Sequence, residues 1–301
     1  MRMHPDELTV TVPVVRRLVA AQFPHWADLP VSRVSASGTV NAIFRVGERL
    51  AARFPLRADE PARVRAWLRV EADAARELRG RTPFPTPAPV ALGEPGEGYP
   101  LPWAVQTWLP GTVAADADAD AGGPTGLARD LAAFVRAVRA VDTRGRTFSG
   151  TGRGGDLRGH DEWVATCLRH SDGLVDVAAV RDLWTRLRDL PRYTPDVMTH
   201  GDLTPGNVLV AGGRLAGVLD VGGFGPADPA LDLIGAWHLL DDGPRAVLRA
   251  ELRCDDVEWA RGAAWALEQS LGALWYYVDT NPPMHRMGRR TLARLLAARL
   301  P

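Results

Sequence analysis

The sequence predicts an α+β protein in two lobes, an N-terminal antiparallel sheet lobe followed by a mainly helical C-terminal lobe, with a cleft between them. Short strand-like runs separated by turn residues dominate the chain as far as Trp108. Beyond that point apolar residues recur at helical spacing, apart from a return to short strands between Val197 and Leu219. At 301 residues and 46% hydrophobic content the chain is long enough to bury a large core, and the lobes are placed at residues 1–110 and 111–301.

Val14, Leu18, Val19 and Phe23 predict a short amphipathic helix over 12–22. Val31–Ser35, Ala42–Val46 and Arg49–Phe54 follow as three strands, separated by Ser37-Gly38-Thr39 and by Val46-Gly47-Glu48, which reads as an antiparallel meander. Residues 61–79 open with Pro61, place Val64, Leu68, Ala75 and Leu78 on one side, and stop at Gly80, as a helix does. The Pro-rich stretch Thr82–Pro89 predicts an extended connection, and Leu101–Trp108 a buried strand. Leu109-Pro110-Gly111 breaks that strand, and Ala114–Gly123 is a low-complexity run of Ala, Asp and Gly suited to a surface segment. Helices are expected around 127–138, 161–170 and 177–189, and again through 230–300.

Composition narrows the function. The 36 basic residues balance 36 acidic ones, so no global field draws the chain to nucleic acid or to an anionic membrane. Every basic residue is arginine, which excludes chemistry that needs a lysine amine. Cys167 and Cys254 are far apart and lack metal-ligand spacing, as expected of reduced thiols with a structural role. No apolar stretch of signal-peptide or membrane-spanning kind is present, so a soluble, cytoplasmic protein is expected.

The most informative segment is His200-Gly201-Asp202-Leu203-Thr204-Pro205-Gly206-Asn207, followed by Val208-Leu209-Val210, a Gly212-Gly213 turn and Leu215–Asp220. Asn207 lies five residues after Asp202, and Asp220 thirteen after Asn207. A hairpin through the Gly-Gly turn returns Asp220 to the side of Asn207, so their oxygens can meet one Mg²⁺ while Asp202 points at a substrate hydroxyl. The spacing is that of the catalytic loop and metal-binding aspartate of the protein-kinase fold. Taken singly, His-Gly-Asp fits a plain turn and Asp220 a strand-end cap; their joint order and spacing favour the functional reading.

With glycine after the histidine, and Pro205-Gly206 before Asn207, the segment resembles the aminoglycoside phosphotransferase family, as does the later Asp228-Pro229-Ala230-Leu231-Asp232-Leu233. That resemblance implies a two-lobed protein-kinase-like fold, an N-terminal nucleotide-binding lobe ending in a hinge, and ATP-dependent phosphorylation of a hydroxyl on an aminoglycoside-type antibiotic. It implies Asp202 as the residue that orients or deprotonates the hydroxyl, Asn207 and Asp220 as Mg²⁺ ligands, and His200 and Asp232 as supports of the loop. Relatives that phosphorylate macrolides, choline or homoserine keep other small hydroxyl acceptors open, and a nucleotide-binding pseudokinase remains the reading from a different class. Retention of Asp202, Asn207 and Asp220 together favours an enzyme, and His-Gly-Asp with no Ala-Pro-Glu after Asp220 disfavours a protein kinase. Val221-Gly222 stands where Phe-Gly is usual, which gives no support to a regulatory motion of a Phe.

The remaining site residues follow the same resemblance. Arg53 takes the place of the strand lysine that holds the α- and β-phosphates, since a guanidinium can grip phosphate bidentately, and a solvated strand-end arginine is the alternative. Glu71 is its expected partner and Glu77 the competitor. Ser37 and Thr39, between the first two strands, are expected on phosphate, with a plain hairpin turn as the alternative. Gln106 and Trp108 mark the adenine-binding hinge, although Trp108 also suits a core. Residues 1–110 carry a formal charge of +3 and 111–301 of −3, the right signs for a nucleotide and a cationic acceptor. Asp156, Asp161, Glu162, Glu268 and Asp279 are candidates to face that acceptor, and Trp259, Trp265, Trp275, Tyr276 and Tyr277 to line an apolar pocket, although their spacing favours packing between helices.

Overall fold

A computed structural model describes residues 7–34, 40–116 and 124–300. Most of the low-complexity run, residues 117–123, lies outside the described residues. Helix α1 (Val12–Gln22) carries Pro13 in its first turn, where a missing N–H costs nothing, and buries Val15, Leu18 and Val19. Strands β1 (Val31–Arg33), β2 (Asn41–Val46) and β3 (Leu50–Pro55) form the antiparallel meander read from the sequence. Helix α2 (Pro61–Leu78) then crosses over, and β4 (Pro89–Gly93) and β5 (Trp103–Thr107) complete a five-stranded sheet in the order β1-β2-β3-β5-β4.

The Pro-rich stretch is the expected connection as far as Ala88, and the unexpected strand β4 begins at its last proline, Pro89. It pairs with β5 only, with a register shift between Pro89 and Ala91. An edge position and an irregularity are where a sheet tolerates prolines that donate no ladder hydrogen bond. On one face of the sheet, Phe44, Phe54 and Trp103 are buried, with Phe54 stacked on Trp103 at 4.8 Å and edge-on to Phe44 at 5.6 Å. Paired residues share a face, so the register puts Ile43, Arg53 and Ala104, and beside them Ala51 and Gln106, on the opposite side.

After Trp108, β6 (Thr112–Val113) joins a separate three-stranded sheet with β8 (Val208–Ala211) and β9 (Arg214–Val218), while β7 (Val197–Thr199) pairs with β10 (Gly225–Ala227). Around these strands lie α3 (Thr125–Arg139), α4 (Asp161–His170), α5 (Val177–Leu187), α6 (Ile234–Leu239), α7 (Asp242–Leu252), α8 (Asp256–Tyr276) and α9 (Pro282–Ala297). Helix α8 is buried on nearly every side and packs on α4, α5, α6 and α9. Its Trp259 and Trp265 belong to this core, the helix-packing role of the two read from the sequence. Cys167 and Cys254 are buried, and burial pushes their thiols up to about 11 and about 12, so both are inert packing groups. None of the described helices is long and apolar enough to cross a membrane.

Helix α2 ties the lobes together. Val64 and Leu68 belong to the core of the sheet lobe, whereas Ala75 and Leu78 belong to the core of the helical lobe. Its middle packs on the short 3₁₀ turn Val221–Gly223. Residues near the start of the cleft are thus held against residues that follow Asp220.

Gly288 lets α9 approach α8 closely: a Cβ there would lie 2.7 Å from the Ser270 carbonyl oxygen and 2.9 Å from the Leu274 nitrogen. Gly288→Ala is expected to cost about 1–3 kcal/mol through overpacking, read as a lower Tm on thermal denaturation. Gly243→Ala, on α7 with nothing within 4 Å of the added carbon, should leave Tm unchanged or raise it. Equal Tm values for wild type and Gly288→Ala would refute the close approach.

Candidate active site

The β8–β9 hairpin brings the separated motif residues together. Val208 pairs with Val218, and just beyond, the Leu219 N–H donates to the Asn207 carbonyl at 2.7 Å. Asn207 and Asp220 therefore leave the hairpin side by side. Asp220 adopts the left-handed conformation (φ 54°, ψ 55°), one that aspartate tolerates better than most residues and that turns the chain sharply after the strand.

The preceding loop is held from beneath. His200 is fully buried, and the Asp232 carboxylate accepts the backbone N–H groups of His200 and Gly201, each at 2.8 Å. The His200 ring bridges the loop to the strand: Nε2–H donates to the Leu219 carbonyl at 2.9 Å, and Nδ1 accepts the Asp202 N–H at 3.2 Å. Because a carbonyl can only accept and an amide N–H only donate, the neutral Nε2–H tautomer satisfies both. Burial raises the Asp232 pKa, opposed by the backbone N–H donors of Gly201 and His200.

Three side chains fix the Asp202 carboxylate. Oδ2 accepts Asn207 Nδ2–H at 2.8 Å, while Oδ1 accepts Arg153 Nη2–H at 2.9 Å and Gln269 Nε2–H at 2.7 Å. Across the cleft Arg53, nearly buried, bridges Glu71 Oε2 at 3.1 Å and Asp220 Oδ1 at 3.0 Å. The competing Glu77 is bound instead by Arg146, at 2.6 and 3.0 Å. Burial raises the Glu71 pKa, and the Arg53 charge opposes it. Gly222 makes this approach of α2 possible, since a Cβ there would fall 2.6 Å from Glu71 Cγ.

Two cavities meet at Asp202. One of about 380 Å³ holds Asp202, Asp220, Glu71 and Arg153, and one of about 920 Å³ opens between the lobes. Trp67, Trp163, Tyr276 and Tyr277 contribute to the wall of the larger, together with Glu268. Among the described residues no group of three or more His, Cys, Asp or Glu side chains is arranged for a metal. Asn207 and Asp220 nonetheless suit Mg²⁺, which takes one or two protein oxygens and fills its octahedron with phosphate and water.

The other expected residues are distributed unevenly. Ser37 and Thr39 lie outside the described residues. Gln106 lines a cavity of about 290 Å³ with Arg53, Glu71 and Gly222. Trp108 is half-buried beneath the Arg45 guanidinium, which lies 5.0 Å from its ring centroid, and its backbone N–H donates to the Arg49 carbonyl at 2.8 Å. Of the acidic acceptor candidates, Glu268 alone is among the residues lining the large cavity; Asp161 accepts from Trp184 at 2.8 Å, Asp156 caps its own turn, and Glu162 and Asp279 are exposed. Trp275 stacks on His170 at 4.4 Å, so of the aromatic candidates Tyr276 and Tyr277 reach the cavity wall.

Sequence reasoning missed Arg153, Gln269 and two histidines behind them. His160 places Nδ1 at 3.0 Å from Glu268 Oε1 and Nε2 at 3.3 Å from the Gly152 carbonyl. Both neighbours are acceptors, so both ring nitrogens donate, and the pKa is raised, chiefly by Glu268. His238 instead bonds Thr291 Oγ1 at 2.9 Å and Gln269 Oε1 at 3.1 Å, and burial brings its pKa down to about 4. The run Thr151-Gly152-Arg153-Gly154-Gly155 was the available signal for Arg153; Gln269 had none in a helix of mostly apolar residues.

Comparison with known proteins decides where this geometry belongs, because residues 32–265 match the model of the phosphotransferase enzyme family. The chain belongs to that family. An aminoglycoside 3'-phosphotransferase of Escherichia coli is 34% identical over 84 residues, 25% of this chain and 31% of that protein. One of Streptomyces fradiae is 35% identical over 119 residues, 35% of this chain and 40% of that protein, so the chain spans well under half the length of either relative. A GDP complex of aminoglycoside 2'-phosphotransferase-IIIa has a TM-score of 0.68 at 19% identity, over 94% of this chain and 97% of that one. A macrolide 2'-phosphotransferase from Brachybacterium faecium gives 0.61 at 19% identity, over 96% and 100%. The two lobes of this phosphotransferase-family chain thus form the protein-kinase-like fold.

The two histidines give opposite pH dependences. His238 has a folded pKa of about 4 against 6.5 for the free side chain, so the unfolded chain binds the extra proton as pH falls. Its contribution is present above pH 6.5 and lost progressively towards pH 4. Wild type is expected to lose about 3 kcal/mol more than His238→Asn between pH 7 and 4, measured by urea unfolding. His160, with its raised pKa, contributes stability that is full below pH 6.5 and fades as pH rises through the folded value. Parallel curves for wild type and His238→Asn would refute the neutral burial of His238.

Proposed function

We propose that the chain is an ATP-dependent phosphotransferase that moves the γ-phosphoryl group to a hydroxyl of a small molecule held in the large interlobe cavity. The observation that carries this reading is the position of Asp202, whose fixed carboxylate stands in the wall of that cavity and of the smaller one containing Asp220. In the proposed step the acceptor oxygen bonds to the γ-phosphorus, the bond from that phosphorus to the ADP oxygen breaks, and the hydroxyl proton passes to Asp202. A loose phosphoryl transition state asks for position and charge neutralisation more than for a strong base, so an ordinary aspartate is sufficient.

Asn207 and Asp220 would hold Mg²⁺, which supplies neutralisation of phosphate charge. Arg53, steadied by Glu71, is the phosphate-binding cation in a chain without lysine. Gln106 and the backbone near Trp108 are the proposed neighbours of the adenine, and Ser37 and Thr39 remain proposed phosphate contacts. His200 and Asp232 act as scaffold, through the backbone bonds described above.

For the acceptor, an aminoglycoside-type compound is favoured by the names of the relatives that align at 34–35% identity. A second class, a bulky and more apolar hydroxyl compound of macrolide type, is favoured by the wall itself. Trp67, Trp163, Tyr276 and Tyr277 offer ring faces, and the three carboxylates in the same wall are already paired, Glu268 with His160, Asp202 with Arg153 and Asp59 with Arg63.

A coupled ADP-release assay with ATP, Mg²⁺ and a panel of aminoglycosides, macrolides and small amino alcohols tests the reading. Asp202→Ala should lower kcat about 10²–10⁴-fold with ATP binding retained. Asp220→Ala should lose Mg²⁺-dependent nucleotide binding. Full turnover in Asp202→Ala, or an unchanged metal requirement in Asp220→Ala, would overturn the respective role; nucleotide binding without turnover on any acceptor would favour the pseudokinase.

A further inference from the structure

We infer that Arg153 is a positioning residue for Asp202, delivered by a loop built for that purpose, and that it leaves Oδ2 as the oxygen that receives the acceptor hydroxyl. The inference rests on the reading of Asp202 as the residue that takes the hydroxyl proton.

Each carboxylate oxygen offers two in-plane lone pairs. On Oδ1 both are engaged, by Arg153 Nη2 at 2.9 Å and Gln269 Nε2 at 2.7 Å. Oδ2 accepts only the Asn207 amide at 2.8 Å among the described residues, so one acceptor position stays open. Arg153 lines both cavities, which puts its guanidinium on the side where acceptor and phosphoryl donor would meet. Swinging of the carboxylate would expose Oδ1 instead, and the three donors oppose it.

The loop beneath Arg153 is pinned at both flanking residues. The Gly152 carbonyl accepts from His160, whose other nitrogen is bonded to Glu268 on α8. The Gly154 carbonyl accepts the Asp228 N–H at 2.8 Å, and Asp228, itself buried, is gripped by Arg261 at 2.6 Å and by Trp265 Nε1–H at 3.0 Å. Gly154 has φ +112°, and a Cβ there would lie 2.7 Å from that of Ala227, so both its conformation and its seat demand glycine. Gln269 is held in turn by His238. Residues adjacent on α8, Glu268 and Gln269, thus reach Asp202 by two routes, one through the loop and one directly. A surface arginine that merely happened to meet an aspartate would need neither anchor.

Arg153→Ala, Arg153→Lys and the double variant Arg153→Ala with Asp202→Ala test this, with kcat and KM measured on an acceptor that turns over, or on water as acceptor by slow ADP release. Arg153→Ala is expected to lower kcat by about 10–10²-fold through misplacement of the carboxylate, with the KM for ATP and the Tm little changed. Arg153→Lys should recover most of the rate, since one N–H donor to Oδ1 suffices. In the double variant the loss should equal that of Asp202→Ala alone, as for residues acting through one another. A crystal structure of Arg153→Ala should show the Asp202 carboxylate rotated from its place. Wild-type kcat in Arg153→Ala, losses that multiply in the double variant, or an unmoved carboxylate would each overturn the inference. Full activity of Asp202→Ala would instead remove the reading beneath it.

Discussion

The buried carboxylate of Asp232 is the constraint on which the site depends. It takes two backbone N–H groups from the His200–Gly201 turn, a charge-assisted arrangement that offsets the cost of burying an anion and leaves neither amide unpaired. With the turn fixed, the His200 ring can reach both the end of β9 and the Asp202 amide. Loop and hairpin become one unit, and Asp202, Asn207 and Asp220 take their relative places from it. Asp228, which caps the 3₁₀ turn Pro229–Leu233 carrying Asp232, extends this frame to α8 and to the loop carrying Arg153.

The second constraint joins the lobes. Helix α2 contributes apolar residues to both cores, so its register against the Val221–Gly223 turn is set by packing at each end. Glu71 lies in that middle stretch, where Gly222 leaves room for it, and Arg53 arrives from the sheet face opposite the aromatic core. The Arg53 guanidinium then bonds one carboxylate from each lobe. A nearly buried arginine with two carboxylates is costly to break from one side, because removing a partner strands a charge.

Two histidines behind the cleft show how surroundings choose a protonation state. His160 faces a carboxylate and a carbonyl, so it donates twice and orients the loop of Arg153. His238 faces a hydroxyl and an amide oxygen in a buried setting and stays neutral, orienting Gln269. Opposite charge states serve the same end, a carboxylate held in one rotamer.

The sequence by itself determined the order of sheet and helical lobes, most element boundaries, and the cluster of Asp202, Asn207 and Asp220. Those features are local: apolar periodicity, turn residues and a hairpin of fixed length act over short stretches of chain. It also put Arg53 and Glu71 in neighbouring elements, though only packing of α2 separated Glu71 from Glu77. Strand β4 was missed because it is a short edge strand that begins on Pro89, directly after the Pro-rich connection. The acidic and aromatic candidates could not be sorted, because Glu268 and Tyr276 differ from Asp161 and Trp265 in which way α4 and α8 turn in the packed lobe. Arg153 lies 49 residues from Asp202, and Gln269 lies 67 residues beyond it. Contacts over such separations are decided by tertiary packing, since no periodicity in the chain encodes which loop will be pressed against which carboxylate.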